Sequence, residues 1–180
     1  MARSMKAVRK ASLGLGLLWG WFCTLLFVGC AQSQPPPAPV AGAPRPAIID
    51  TDMGADDIMA ILYLLQRPDV QVKAITVAGT GLARCTAGVR HAQGLVALAG
   101  QPDIPVACGR ETPLQGSHAF PDDWRDQADA LYGLVLSEPD GVATDTAVSL
   151  LTTTLQTLPA KTMVLALGPL TNLAAALQPP

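Results

Sequence analysis

Four short apolar runs, each closed by a turn residue and followed by a longer stretch with helical spacing, set the fold class of this chain. The runs are Ala47–Asp50, Val72–Val77, Ile104–Ala107 and Met163–Leu167. The helical pattern falls on Asp56–Gln66, Ala87–Ala99, Asp145–Leu158 and Leu170–Leu177. In the first of these, Ile58, Ile61, Leu62 and Leu65 recur at intervals of three and four, so they share one face, and Pro68 stops the helix. Strands alternating with helices predict an α/β domain: a doubly wound, mostly parallel sheet with helices on both faces and right-handed crossovers. The pattern contains no internal repeat and no second domain. Only the stretch from Arg110 to Pro139 breaks the rhythm. Its Pro113, Gly116, Pro121 and Asp122-Asp123 before Trp124 predict a long ordered loop with one short helix, either a lid or a surface excursion.

The first strand runs straight into Asp50, Asp52, Asp56 and Asp57, four carboxylates within eight residues. Like charges at that density repel, and a hard divalent cation resolves the conflict, because Ca²⁺ takes about six to eight oxygen ligands. The alternative is an acidic turn whose Asp56 and Asp57 favour the positive end of a helix. The order strand, Gly turn, paired acids, apolar helix places the cluster at the corner where open α/β sheets hold ligands. Adjacent residues at a helix start diverge by about 100°, so Asp56 can face a cleft while Asp57 faces an ion. Gly54 permits the sharp turn between them.

The run Asp50-Thr51-Asp52-Met53-Gly54-Ala55-Asp56-Asp57 resembles the Asp-x-Asp-x-Gly-x-Asp-Asp metal signature of the inosine-uridine-preferring nucleoside hydrolases. A second stretch, Ala166-Leu167-Gly168-Pro169-Leu170-Thr171-Asn172-Leu173, is similar to a later motif of the same family and also follows an apolar strand. The resemblance implies hydrolysis of the N-glycosidic bond of ribonucleosides to base and ribose, by a water held on Ca²⁺. It assigns Asp52 and Asp57 as metal carboxylates, the Leu167 carbonyl as a main-chain metal ligand, and Asp56 as the base that also faces substrate. Asp50 is then expected to order the loop from behind the ligands. Thr80, in Val77-Ala78-Gly79-Thr80-Gly81, stands where the family has a ribose-binding Asn. It keeps a hydroxyl but no amide, and an ordinary Gly turn is the competing reading. Thr171 and Asn172 are expected to cap the following helix.

The resemblance covers the chain from about Ala47 onward and only the first part of a domain of roughly 300 residues. The family draws a further carboxylate, more sugar ligands and a leaving-group acid from its second half. The chain is therefore expected to be a truncated form, impaired in activity and marginally folded, with apolar surface left uncovered. Two other readings compete. A haloacid-dehalogenase-like Mg²⁺ phosphatase also has Asp-x-Asp after its first strand, but should carry Thr or Val where this chain has Gly54. A non-catalytic tethered fragment is the other.

Upstream of the domain, residues 1–30 read as an export signal. Arg3, Lys6, Arg9 and Lys10 precede an uncharged apolar run from Leu13 to Val28. Phe27-Val28-Gly29-Cys30 resembles a bacterial lipobox, with Cys30 the lipidation site and Phe27 departing from the preferred Leu. An uncleaved membrane anchor is the alternative, since about 18 apolar residues can just span a bilayer. Residues 31–46 are a Pro-rich linker of polyproline II character. The expected location is the bacterial cell envelope, lipid-anchored and facing the periplasm or exterior.

Without residues 1–30 the chain has 8 basic against 14 acidic residues, a net charge of −6. That sign and the low aromatic content exclude nucleic acid as a partner, which requires clustered Lys and Arg or stacking platforms. The expected partners are a small nucleoside and the membrane through the tether, with homo-oligomerisation left open. Cys85 and Cys108 are expected to be two buried thiols, although an oxidising periplasm would allow them to pair, and their spacing has no zinc pattern. Of the two histidines, His91 is expected to face solvent from its helix. His118, in the long loop beside Phe120, is expected to be structural and is not assigned as the general acid.

Overall fold

The computed structural model describes residues 42–137, 146–159 and 161–178. The leader with Cys30, and the linker as far as residue 41, lie outside the described residues. Strand β1 spans Arg45–Thr51, β2 Val70–Val77, β3 Val106–Cys108 and β4 Met163–Ala166. Helices α1 (Ala55–Leu65), α2 (Cys85–Leu98), α3 (Asp122–Asp129), α4 (Ala147–Thr157) and α5 (Thr171–Ala176) alternate with them, and a 3₁₀ turn covers Leu131–Gly133. Among the described residues, no helix is long and apolar enough to cross a membrane. Strand β1 takes in the last two residues of the expected linker, because Arg45 and Pro46 already pair with Val70 and Gln71.

All pairings are parallel, and the sheet order is β3-β2-β1-β4. The chain steps from β1 outward to β2 and β3, then returns to the other side of β1 with β4. The order thus reverses at β1, and the crevice at the carboxyl ends of β1 and β4 is the switch point where such sheets take ligands. Asp50 stands opposite Thr76 on one side and Ala166 on the other, which fixes the strand ends that form this crevice.

Side chains of β1 alternate between two apolar layers. Ile49 joins Ile58, Ile61 and Leu65 of α1 and Leu95 and Val96 of α2, while Ile48 joins Leu150 and Leu151 of α4. Both isoleucines are fully buried, each contributing about 1.5–3 kcal/mol relative to exposure. A strand buried on both faces reads as a continuous apolar run, as Ala47-Ile48-Ile49 does. The doubly wound architecture expected from the sequence is the one observed. Among the described residues the irregular stretch holds one α-helix, α3, as expected, with the 3₁₀ turn behind it.

Cys85, the first residue of α2, is bonded to Cys108, the last of β3. This corrects the expectation of two thiols. Helix α2 begins beside the carboxyl end of β3, which brings residues 23 apart in sequence to a Cα separation of 5.5 Å, a relation that sequence spacing does not reveal. The Cys85 amide also donates to Glu111 Oε1 at 2.6 Å, so the start of α2 is fastened twice to the segment after β3. Closing a loop of this size restricts the unfolded chain. Cys108→Ser is expected to lower the unfolding free energy by about 3 kcal/mol in non-reducing urea titrations. Unchanged stability would show that the bond does not constrain the fold.

Candidate active site

Main-chain geometry at the end of β1 is set by Thr51. Its hydroxyl accepts from the Met53 amide at 2.9 Å and donates to Asp57 Oδ2 at 2.5 Å. The same Oδ2 accepts from the Asp52 amide at 3.2 Å, so the strand end and the first turn of α1 close on one carboxylate. Met53 adopts φ 61°, left-handed for a non-Gly residue, with its side chain fully buried. That conformation carries a cost, and such costs concentrate at functional sites.

The four acids do not converge. Asp56 is exposed on α1, whereas Asp57, one residue on, is buried, as the divergence of helix-start residues predicts. Asp50 points below the loop, accepting from Thr76 Oγ1 at 2.6 Å and Asn172 Nδ2 at 2.8 Å. Only the Asp52 and Asp57 carboxylates meet. Burial and then the Asp57 charge push the Asp52 carboxyl up to about 6, with the Leu82 amide, 3.2 Å from Oδ2, pulling the other way. Burial also raises the Asp50 carboxyl, against the hydrogen bonds from Thr76 and Asn172.

Two glycines form walls against Asp52. A Cβ on Gly81 would lie 2.2 Å from Asp52 Cβ, and one on Gly168 would lie 2.9 Å from Asp52 Cβ, Cγ and N. Gly81 follows β2 and Gly168 follows β4, so both sides of the switch point close on one side chain. The Leu167 amide donates to the Asp50 carbonyl at 2.8 Å, which sets the Leu167–Gly168 peptide beside Asp52. The structure therefore brings together three of the expected metal-side residues, Asp52, Asp57 and Leu167. Among the described residues, no cluster of three or more His, Cys, Asp or Glu side chains is arranged to hold a metal. A cation here would rest on two carboxylates and main-chain oxygen.

Thr80 is buried, and its hydroxyl lies 2.9 Å from that of Thr171. Thr171 and Asn172 do not cap α5, whose N-cap is Leu170 without a side-chain bond. Asn172 is instead buried, donating to Asp50 Oδ1 and, at 3.0 Å, to the Val77 carbonyl. Gly109 gives it room: a Cβ there would stand 1.8 Å from Asn172 Oδ1. His91 is also corrected. It is buried, with Nε2 2.8 Å from the Asp129 carbonyl, so it fastens the end of α3 rather than facing solvent. Its place three residues after Gly88 and four before Leu95, both buried, was a signal for that face. His118 is exposed in its loop.

Sequence reasoning missed Tyr132. Leu131 and Tyr132 both have positive φ, 49° and 53°, in a turn anchored by the buried Leu131. Burial raises the Tyr132 hydroxyl above the ordinary phenol range, and so do the charges of Asp52, Asp57 and Asp56. Charge from all three carboxylates thus reaches one phenol on a strained turn, and only the neighbouring Gly133 hinted at such a turn in the sequence.

Comparison with known proteins accords with this geometry. The profile of the inosine-uridine preferring nucleoside hydrolases matches residues 47–179. Uridine nucleosidase 1 of Arabidopsis thaliana is 36% identical over 140 residues, 77% of this chain and 41% of that protein. The pyrimidine-specific ribonucleoside hydrolase RihA of Citrobacter koseri is 36% identical over 130 residues, 72% of this chain and 41% of its own length. Among solved structures, a plant nucleoside hydrolase superposes with a TM-score of 0.65 at 38% identity, over 74% of this chain and 42% of the other. A purine-preferring ribonucleoside hydrolase from Gardnerella vaginalis gives 0.63 at 26% identity, over 74% and 43%. The chain spans about two fifths of the length of the curated relatives it matches. These matches set aside the phosphatase alternative, and the chain belongs to the inosine-uridine preferring nucleoside hydrolase family.

Proposed function

We propose that the protein hydrolyses the N-glycosidic bond of ribonucleosides, with this segment supplying the cation-binding and water-activating part of the site. One observation carries the proposal: the Asp52 and Asp57 carboxylates are pressed together at the switch point, with Asp56 exposed one residue away. The names of the relatives span uridine, pyrimidine and purine nucleosides, so the ribosyl-base bond is the common element.

The donor set fits Ca²⁺. Two adjacent buried carboxylates repel, and hard oxygen ligands suit this ion. Asp52, Asp57 and the Leu167 carbonyl would hold it, and Ca²⁺ there would supply positive charge that positions and acidifies a water. This chain's own residues do the rest. Thr51 and the Asp52 amide hold Asp57 in place. Gly81 and Gly168 keep Asp52 from swinging away. Asp56 takes the proton of the attacking water as base, and Thr80 with Thr171 lines the sugar side. Asp50 and Asn172 tie β1, β2 and α5 together beneath the ligands.

On this proposal, calorimetric titration gives a larger loss of Ca²⁺ affinity for Asp57→Ala than for Asp50→Ala. Equal losses, or no binding by the parent, would count against the assignment. In a version extended to full family length, Asp56→Ala is expected to retain Ca²⁺ affinity while release of ribose from inosine and uridine falls by about 10² to 10⁴. Parental rates in that variant would place the base elsewhere.

The electrostatics give a further expectation. A carboxyl whose folded pKa lies above its unfolded value binds its proton more tightly in the fold. In chelator, Asp52 therefore destabilises the fold progressively as pH rises from about 4 through 6. Asp52→Asn should melt above the parent at pH 7 in chelator, and the gap should narrow as pH falls through 6 and close only below about pH 4. Added Ca²⁺ should stabilise the parent and not the variant. A gap that is independent of pH would remove the pair from consideration as a repelling site.

We also propose that Cys30 is lipidated and tethers the domain in the cell envelope, on the strength of the Val28-Gly29-Cys30 sequence after an apolar run. Metabolic labelling with an alkyne fatty acid should mark the parent and not Cys30→Ser. Equal labelling would refute the tether.

A further inference from the structure

The loop 79–84, between β2 and α2, carries both Gly81 and the Leu82 amide that seat Asp52. On its inner side the loop is held by the Gly81 amide on the Ala78 carbonyl, the Ala83 amide on the Asp52 carbonyl and the Thr80 hydroxyl against that of Thr171. The outer side of the loop is gripped by α3. Arg125 donates from Nη2 to the Gly79 carbonyl at 2.9 Å and from Nε to the Leu82 carbonyl at 3.3 Å. These two carbonyls bracket Thr80 and Gly81. Leu82 therefore has its N–H on Asp52 and its C=O on Arg125, one peptide unit on either side of a single residue.

We propose that Arg125 is a positioning residue of the Asp52–Asp57 site, acting through the Gly79 and Leu82 carbonyls to hold the loop against Asp52. The inference rests on the cation reading given above and deepens it. The planar guanidinium fork suits two carbonyls at a fixed spacing, which a lysine ammonium on a flexible stem does not reproduce.

Helix α3 has anchors besides Arg125. Arg84 donates its backbone amide to Asp129 Oδ1 and its guanidinium to Asp126 and Asp129. The buried Ala128 and Leu131, and His91 on the Asp129 carbonyl, complete the docking of α3. With the helix fixed by these contacts, Arg125 acts on the loop.

The experiment uses the 180-residue chain as parent, Arg125→Ala, Arg125→Lys and, as a control on the same helix, Gln127→Ala at an exposed position. Calorimetry with CaCl₂ and amide hydrogen exchange over residues 79–84 are the two readouts. Arg125→Ala is expected to weaken Ca²⁺ binding about tenfold and to speed exchange at the Leu82 amide, since hydrogen bonds to a charged group are lost. Arg125→Lys should weaken binding about threefold. Millimolar methylguanidinium should restore affinity in Arg125→Ala, which a general loss of packing would not permit, and Gln127→Ala should match the parent. Parental affinity and parental Leu82 exchange in the Arg125 variants would overturn the proposal. If Arg125→Ala fails to fold, Arg125→Lys decides on the same criteria. If the parent does not bind Ca²⁺, the functional reading fails, and Leu82 exchange alone decides whether Arg125 holds the loop.

Discussion

The Asp57 carboxylate accepts two hydrogen bonds on one oxygen, from the Thr51 hydroxyl and the Asp52 amide, and the geometry of the crevice follows from that convergence. It fixes the left-handed Met53, turns the chain out of β1 into α1, and forces Asp52 against Asp57. Two buried carboxylates side by side are unfavourable without a proton or a cation, and the raised Asp52 carboxyl expresses that cost. The fold tolerates the arrangement because the surrounding strands and helices are apolar on both faces and hold β1 rigidly between them.

Element order, and the place of the acids within it, were legible in the sequence because both are local properties. Apolar runs of strand length and a three-to-four spacing put strand and helix boundaries within three residues of those observed. The strand-to-helix corner after Ile49 followed from the Gly turn at Gly54. Contacts between distant segments were not legible. Nothing near Asn172 announces that its amide reaches Asp50 and Val77, and a polar residue at a helix start suggests a cap by default. The pairing of Cys85 with Cys108 depends on how α2 lies on β3, and Arg125 reads as one more charge in an acidic surface helix.

The segment that breaks the strand-helix rhythm turns out to bear on the site. Helix α3 carries the arginine that grips the loop opposite Asp52, and the turn behind it presents Tyr132 to the charge of the carboxylates. Its acids serve a structural purpose, since Asp126 and Asp129 hold Arg84, whose guanidinium they push to higher pKa. An acidic run that composition would assign to solvent is thus partly spent on docking the helix.

The hydrogen bond between Asn172 and Asp50 joins residues 122 apart. During synthesis the acids emerge among the first residues of the domain, whereas Gly168 and Asn172 emerge near the end of the stretch described here. Contacts of such long range form late, because loop closure must precede them. An early βαβ intermediate built from β1, α1 and β2 would have its carboxylates in place but no wall on the β4 side. The crevice is therefore complete only once β4 and α5 have docked, so that assembly of the site follows completion of this part of the fold.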